Sequence, residues 1–147
     1  AIDALTRIHP AVDKSRFQSR FQHMNATFID AVVTGWETLE DSFPLPDPND
    51  RHVLAAAVRG RADVIVTDNV RDFPVSVVQP LGIAVKKVDE FLVDLYTINP
   101  SRTRQLVDRQ ASDQGNPPST TQELLDRLAR AGAVEFVSAI REGLSDD

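Results

Sequence analysis

Residues 62–67 are the clearest strand signal in the chain, because they are apolar and β-branched apart from one aspartate. Such a run is typical of a strand buried on both faces of a parallel sheet. An alanine-rich helix over residues 53–58 precedes it, and a second apolar strand follows over residues 82–88. Residues 90–96 then have the character of a helix, which Asp89 can cap. This alternation predicts an α/β fold with a mainly parallel sheet flanked by helices.

The segments before the alanine-rich helix are less regular. Residues 2–8 and 13–24 carry apolar side chains at helical spacing, which predicts two helices. Residues 27–34 are rich in β-branched side chains and predict a short strand. Residues 43–50 contain three prolines and therefore cannot be a helix interior or a central strand.

The pattern changes after Tyr96, so we divide the chain into a domain over residues 1–97 and a helical C-terminal extension over residues 98–147. Asn99 and Pro100 are a good helix start. The extension continues with a capping box, an apolar helix face and a last short helix, at Ser119–Gln122, Leu124–Leu128 and Val134–Ile140. The apolar faces of the last two helices could cover the sheet or form a homodimer.

Acidic and amide side chains gather near one strand end and one helix start. Asp68, Asn69 and Asp72 follow the strand that ends at Thr67, and Asp47 and Asp50 precede the alanine-rich helix. Ligands of open parallel sheets bind outside the carboxyl ends of the strands. Oxygen ligands of this kind suit Mg²⁺ or Mn²⁺. The simpler interpretation is that the acids are structural, since Asn49 or Asp50 can cap the helix and Asp72 can order its own turn.

The run DPNDRHVLAAAVRGRADVIVTDNVRDFP, residues 47–74, resembles the central motif of the PIN-domain family, which includes the VapC-type toxins of bacterial toxin–antitoxin systems. Asp50 matches the acid at the helix start, and Ala57 and Thr67 stand in their expected places. Asn69 stands where many members carry aspartate, but one subfamily has asparagine there followed by Asp-Phe-Pro, as in residues 72–74. The segments GIAVKKVDEFL and the tail from Asn99 are similar to the last strand and the helical extension of that subfamily.

This resemblance implies a metal-dependent endoribonuclease that hydrolyses RNA phosphodiester bonds with Mg²⁺ or Mn²⁺ and is restrained by an antitoxin protein. It implies that Asp50, Asp72, Asn69 and Asp47 are the metal ligands. Asp50 and Asp72 would then be catalytic together with Thr67, whose hydroxyl would orient a water or a carboxylate.

The chain also departs from the family pattern. PIN domains carry an aspartate at the end of their first strand and a glutamate on a following helix, and the chain begins at Ala1, without methionine, after both. We therefore expect an N-terminally truncated PIN-like domain that lacks the first strand. The alternative function is a catalytically incompetent PIN-fold module that binds RNA or a protein partner.

Composition limits the remaining classes. The chain has no cysteine, which excludes disulfides, thiolate metal sites and cysteine nucleophiles. Neither a signal peptide nor an apolar run of roughly 20 residues for a membrane helix is visible in the sequence given. We therefore expect a cytoplasmic protein without membrane contact. A net charge of -6 argues against a protein that coats duplex nucleic acid without sequence preference.

Charge is also unevenly distributed along the chain. Residues 28–50 carry six acids and no lysine or arginine, and basic residues flank them. This fits a cation pocket with a phosphate-binding rim, and equally a solvated loop beside two helices. Trp36 and Phe43 could stack on a base, although packing is the commoner fate, and His52 could meet a phosphate, although a surface position is favoured. Three arginines on one helix could track RNA or be solvated: Arg102, Arg104 and Arg109.

Overall fold

Two parallel strands form the sheet in the computed structural model, which describes residues 13–113 and 119–145. Strand β1 (Val64–Val66) pairs with β2 (Ala84–Lys86), and Ile65 lies opposite Val85. Both strands lie within the ranges predicted from sequence, so the parallel α/β arrangement is confirmed. The predicted helix over residues 2–8 lies outside the described residues.

The elements around the sheet are short helices and turns. The helices are α1 (Lys14–Thr27), α2 (Arg51–Arg59) and α3 (Val75–Val78). Short 3-10 turns lie at Ile29–Ala31, Glu37–Ser42, Pro48–Asp50, Val70–Asp72 and Gln79–Leu81. The Asp13 carboxylate caps α1 by accepting the Ser15 N–H at 2.9 Å. Helix α2 ends at Gly60, where an added Cβ would lie 2.9 Å from Val33 Cγ2. The predictions of α1 and α2 are confirmed, whereas α3 was not predicted.

The predicted strand over residues 27–34 is wrong. Thr27 is the last residue of α1, and the chain then makes a 3-10 turn in which the Ala31 N–H donates to Phe28 O at 3.0 Å. The physical reason is that β-branched residues favour a strand only where a pleated, half-buried surface receives them. Within the described residues no strand lies beside this segment, and Ile29 is 77% exposed.

The core of the sheet region lies on one side of β1. Ile65 is buried, whereas its neighbour Val66 is 39% exposed. The prediction that this strand is buried on both faces is therefore wrong, because the described helices cover only one face. The buried residues of this core come from the turns, α2, the strands and α3: Leu45, Leu54, Ala57, Ile65, Phe73, Val78 and Ile83.

A second core lies among four helices in the C-terminal part of the chain. They are α4 (Val88–Ile98), α5 (Pro100–Asp113), α6 (Thr121–Arg130) and α7 (Val134–Ser145). Its buried residues, which we call the C-terminal core, are Val107, Ala111, Leu124, Leu125, Ala133, Phe136, Val137 and Ile140. Leu92, Val93 and Tyr96 of α4 pack against it. None of the helices in the described ranges is long and apolar enough to span a bilayer.

The apolar faces of α6 and α7 pack into the C-terminal core, against each other and against α4 and α5. Leu124, Leu125, Phe136 and Val137 are all buried in the C-terminal core. These four residues therefore neither cover the sheet nor lie open to a second copy, the two roles predicted for them, whereas Val134 is 55% exposed. A homodimer stays a prediction and would need another surface.

The helix starts in the C-terminal part agree with the predictions from sequence, with two differences. Asn99 caps α5 as predicted, since its Oδ1 accepts the Arg102 N–H at 2.9 Å. The predicted capping box is one residue out of register, because Thr120 and Glu123 form it instead of Ser119 and Gln122. The Glu123 N–H donates to the Thr120 hydroxyl at 3.2 Å, and the Thr120 N–H donates to the Glu123 carboxylate at 2.8 Å.

The second difference concerns Asp89, which does not cap its own helix. The Glu90 carboxylate accepts the Lys87 N–H at 3.1 Å and caps α4 instead. The two oxygens of Asp89 accept the N–H groups of Glu135 and Phe136 at 3.0 and 2.9 Å. Asp89 thus caps α7, and it is the sheet-proximal end of α4 that holds the last helix.

Candidate metal centre

The loop after β1 brings three of the predicted site residues together. The Thr67 N–H donates to Lys86 O at 2.9 Å, which extends the pairing of the two strands by one residue. The Thr67 hydroxyl accepts the Asn69 N–H at 3.1 Å, and the Asn69 side-chain amide donates to the carboxylate of Asp72. Asp72 ends a 3-10 turn in which its N–H donates to Asn69 O at 3.3 Å. The loop therefore orients the Asp72 carboxylate through Asn69 and Thr67.

The turn before α2 supplies the other two acids. The Asp47 carboxylate accepts both the backbone and the side-chain N–H of Asn49, at 2.8 and 2.9 Å. Asp47 therefore caps the turn at Pro48–Asp50. The side chain of Asp50 makes no capping bond to α2, so the interpretation of Asp50 as a helix cap is wrong. Proline at the first position of the turn moves the capping role back to Asp47.

Carboxylate oxygens of Asp47, Asp50 and Asp72 lie within 4.8 Å of one another, and all three side chains are partly buried. Asp68 is exposed and lies outside this group, which we call the acid cluster. Asn69 borders the cluster and holds Asp72. The turn and the loop thus bring together three of the four acids named from the sequence, without Asp68.

Crowding of negative charge shifts the titration of Asp50. Burial raises its pKa above the ordinary range, and the charges of Asp47 and Asp72 raise it further, as does a hydrogen bond with the Asp72 carboxyl. The positive form of His52 acts in the opposite direction. Oxygen donors that repel one another in this way suit a hard divalent cation, which would neutralise the cluster. The donor set fits Mg²⁺ or Mn²⁺.

The raised pKa predicts how the metal-free protein responds to pH. A carboxyl whose pKa is higher in the folded than in the unfolded state stabilises the fold at low pH, and this stabilisation is lost as pH rises through the folded pKa. We therefore expect Asp50→Asn to melt at a higher temperature than the native protein at neutral pH without metal. The difference should shrink on acidification. Melting curves of both proteins across pH measure this, and a difference that does not depend on pH would contradict it.

An aromatic pair that the sequence did not reveal as a pair lies beside the cluster. The rings of Trp36 and His52 have centroids 6.0 Å apart and planes tilted by 51°. His52 is exposed, as expected for a residue at the helix start, and its Nδ1 lies 2.6 Å from Asn49 O. The pairing was not predicted because the two residues lie far apart in sequence.

Several arginines that the sequence offered as RNA contacts or as a phosphate-binding rim are engaged within the protein. Arg51 forms an ion pair with Asp41 at 4.0 Å. On α5, Arg104 donates to Gly143 O at 2.7 Å, and Arg109 lies 3.6 Å from Asp113. The interpretation of α5 as a fully solvated arginine face is therefore wrong for Arg104, whose guanidinium ties α5 to α7.

Comparison with known proteins identifies relatives of both parts of the chain. Residues 4–71 match the PIN domain family, and residues 88–142 match the VapC50 C-terminal domain family. A protein of Mycobacterium tuberculosis (strain ATCC 25618 / H37Rv), named "Putative ribonuclease VapC50", is 42% identical over 79 residues. The aligned region covers 54% of this chain and 47% of that protein, so the chain spans about half the length of this relative. No solved structure gives a significant match.

Proposed function

We propose that this chain, which matches the PIN domain family over residues 4–71 and the VapC50 C-terminal domain family over residues 88–142, is a metal-dependent endoribonuclease of the VapC toxin type. The observation that carries the proposal is the convergence of Asp47, Asp50 and Asp72 within 4.8 Å. The cluster lies next to Thr67, at the carboxyl end of β1, where open parallel sheets bind their ligands. RNA is the proposed substrate because the similar protein is named a ribonuclease.

The proposed metal ligands are Asp47, Asp50 and Asp72. Bound there, Mg²⁺ or Mn²⁺ would supply an activated water and stabilise the leaving oxygen in phosphodiester hydrolysis. Asn49 orients Asp47, and Asn69 orients Asp72, so two of the three carboxylates are held by side-chain amides. Such partners of ligands typically tune metal affinity about 10–100-fold.

Two further residues would position a metal ligand or a water. Asn69, whose amide is engaged with Asp72, would support that ligand and contact the cation directly or through water. Thr67 accepts the Asn69 N–H through its hydroxyl, so its own proton can be donated to a water or a carboxylate. In this proposal Asp50 and Asp72 are catalytic, and Thr67 orients the attacking water.

The proposed partner is an antitoxin protein, as the VapC resemblance implies. An RNA substrate is compatible with the cytoplasmic location that the sequence predicts. Helix α7 is held to the sheet-proximal end of α4 by the bonds from Asp89. It therefore has a fixed attachment close to β2, whose Lys86 carbonyl receives the Thr67 N–H.

The proposal is tested by incubating the chain with single-stranded RNA and with DNA of the same sequence. We expect RNA cleavage in Mg²⁺ or Mn²⁺, none in a chelator, and recovery when excess metal is restored. The metal should also raise the melting temperature, because a ligand that binds only the folded state stabilises it. RNA that is bound but left intact in both metals would overturn the nuclease assignment and favour the binding module.

A further inference from the structure

The aromatic pair of Trp36 and His52 is connected to the acid cluster by two hydrogen-bonded steps. A carbonyl oxygen only accepts, so the short contact between His52 Nδ1 and Asn49 O, 2.6 Å, requires that Nδ1 carries the hydrogen. The Asn49 side chain in turn donates to Asp47 at 2.9 Å. The imidazole is thus fixed in orientation relative to a proposed metal ligand.

The backbone also places both rings firmly. Trp36 immediately precedes the 3-10 turn Glu37–Ser42, and this turn packs against α2, whose first turn carries His52. The ring planes are tilted rather than stacked, so neither ring fully covers the other. His52 is exposed and Trp36 is partly exposed, which leaves ring surface accessible to a ligand.

The segment that carries Trp36 is acidic, and its nearest basic groups come from α2. Residues 28–50 contain no lysine or arginine, and the nearest arginine in sequence, Arg51, is engaged with Asp41. Glu37 and Glu40 add negative charge on the same segment. The guanidinium of Arg59 lies beside Gly35, the residue directly before Trp36, and could meet a phosphate there. Stacking of a base on an aromatic ring needs no positive charge and works for every base.

We infer that Trp36 and His52 form a base-binding subsite that stacks one unpaired base of single-stranded RNA beside the acid cluster. This inference rests on the proposed function, from which it takes RNA as the substrate. It adds that the bound RNA is single-stranded. The base must be unstacked from its neighbours, since a base inside a duplex presents only its edges. Double-stranded RNA therefore does not occupy the subsite.

The chain carries its own reporter for this contact, because Trp36 is its single tryptophan. The first experiment titrates the native chain, in chelator so that the RNA stays intact, with a short single-stranded RNA while Trp36 fluorescence is recorded. We expect saturable quenching by this RNA. An oligonucleotide of equal length and charge without bases, and an RNA duplex, should leave the fluorescence nearly unchanged. Equal quenching by the base-free oligonucleotide, or no quenching by RNA, would overturn the inference.

The second experiment measures RNA binding to variants by fluorescence anisotropy of a labelled RNA. Loss of one stacked base typically weakens binding by about 10-fold or more, so we expect a loss of this size for Trp36→Leu. Trp36→Phe, which keeps an aromatic ring, should recover most of it. Phe28→Leu is the matched control, since Phe28 is an aromatic residue that is 60% exposed and lies outside the pair. Equal affinity of Trp36→Leu and the native chain would overturn the inference.

The two proposals fail in different ways. If the native chain cleaves RNA with metal and Trp36→Leu binds RNA with native affinity, the base-binding subsite is refuted and the nuclease proposal stands. If Trp36 fluorescence is quenched only by RNA that carries bases, and no RNA is cleaved in Mg²⁺ or Mn²⁺, the subsite stands and the nuclease proposal is refuted. The comparison with the base-free oligonucleotide uses only native protein, so it decides the question even where Trp36→Leu does not fold.

Discussion

Asp50→Asn should lower metal-dependent RNA cleavage by at least about 100-fold, because changes to residues that merely support metal ligands already cost about 10–100-fold. Asp50, unlike Asp47, has no capping role, and its carboxylate lies with those of Asp47 and Asp72. The asparagine keeps the size of the side chain and removes its charge. Cleavage rates in saturating Mg²⁺, together with the metal-induced rise in melting temperature, measure the effect.

The matched control for this change is Asp68→Asn. Asp68 lies on the same loop as Asp72, but it is exposed and lies outside the acid cluster. We expect its cleavage rate and its response to metal to equal those of the native chain. The metal-ligand role of Asp50 would be refuted by an Asp50→Asn protein that still cleaves RNA at the native rate. A fold defect is separated from a metal defect by the metal-free melting temperature, which should rise in Asp50→Asn.

Leu125→Ala should destabilise the protein by about 2–5 kcal/mol, the usual cost of removing a large apolar side chain from a packed core. Leu125 is 1% exposed and belongs to the C-terminal core, where α6 packs with α5 and α7. The cavity left behind would cost dispersion contacts as well as hydrophobic burial. Unfolding in denaturant, followed by circular dichroism, gives the change in free energy of unfolding.

Leu106→Ala controls for the chemistry of this substitution. Leu106 lies on α5 next to the buried Val107, but it is 49% exposed. We expect a change within about 0.5 kcal/mol, as for most surface positions. Equal losses in both variants would mean that the C-terminal core is not packed as described.

The sequence predicted best where local signals agree with one another. The alanine-rich helix, the β-branched strand and the acid-bearing loop between residues 51 and 74 each have their own period or turn residues, and all three were found. The acids of the candidate site could also be selected, because ligands of open parallel sheets bind outside the carboxyl ends of the strands and the PIN resemblance marks the acid at the helix start. The structure adds how they are held, through Asn49 and Asn69.

Features that depend on partners distant in sequence could not be predicted. The segment after α1 has the composition of a strand, yet a strand needs a neighbour that composition does not reveal. Asp50 and Asp47 both stand where a cap can form, and only the geometry of the Pro48 turn decides between them. His52 and Trp36 are each ambiguous alone, and their pairing across the packing of a turn on α2 is a tertiary contact.

The cap that Asp89 provides for α7 has a consequence for the order in which the chain folds. Its bonds to Glu135 and Phe136 join positions 46 and 47 residues apart, so they form only after a long loop has closed. Contacts between residues so far apart in sequence form more slowly than the local hydrogen bonds within a helix. Helix α7 can therefore gain its N-terminal cap only once α4 is in place, and the cap contributes more to slowing unfolding than to starting the fold.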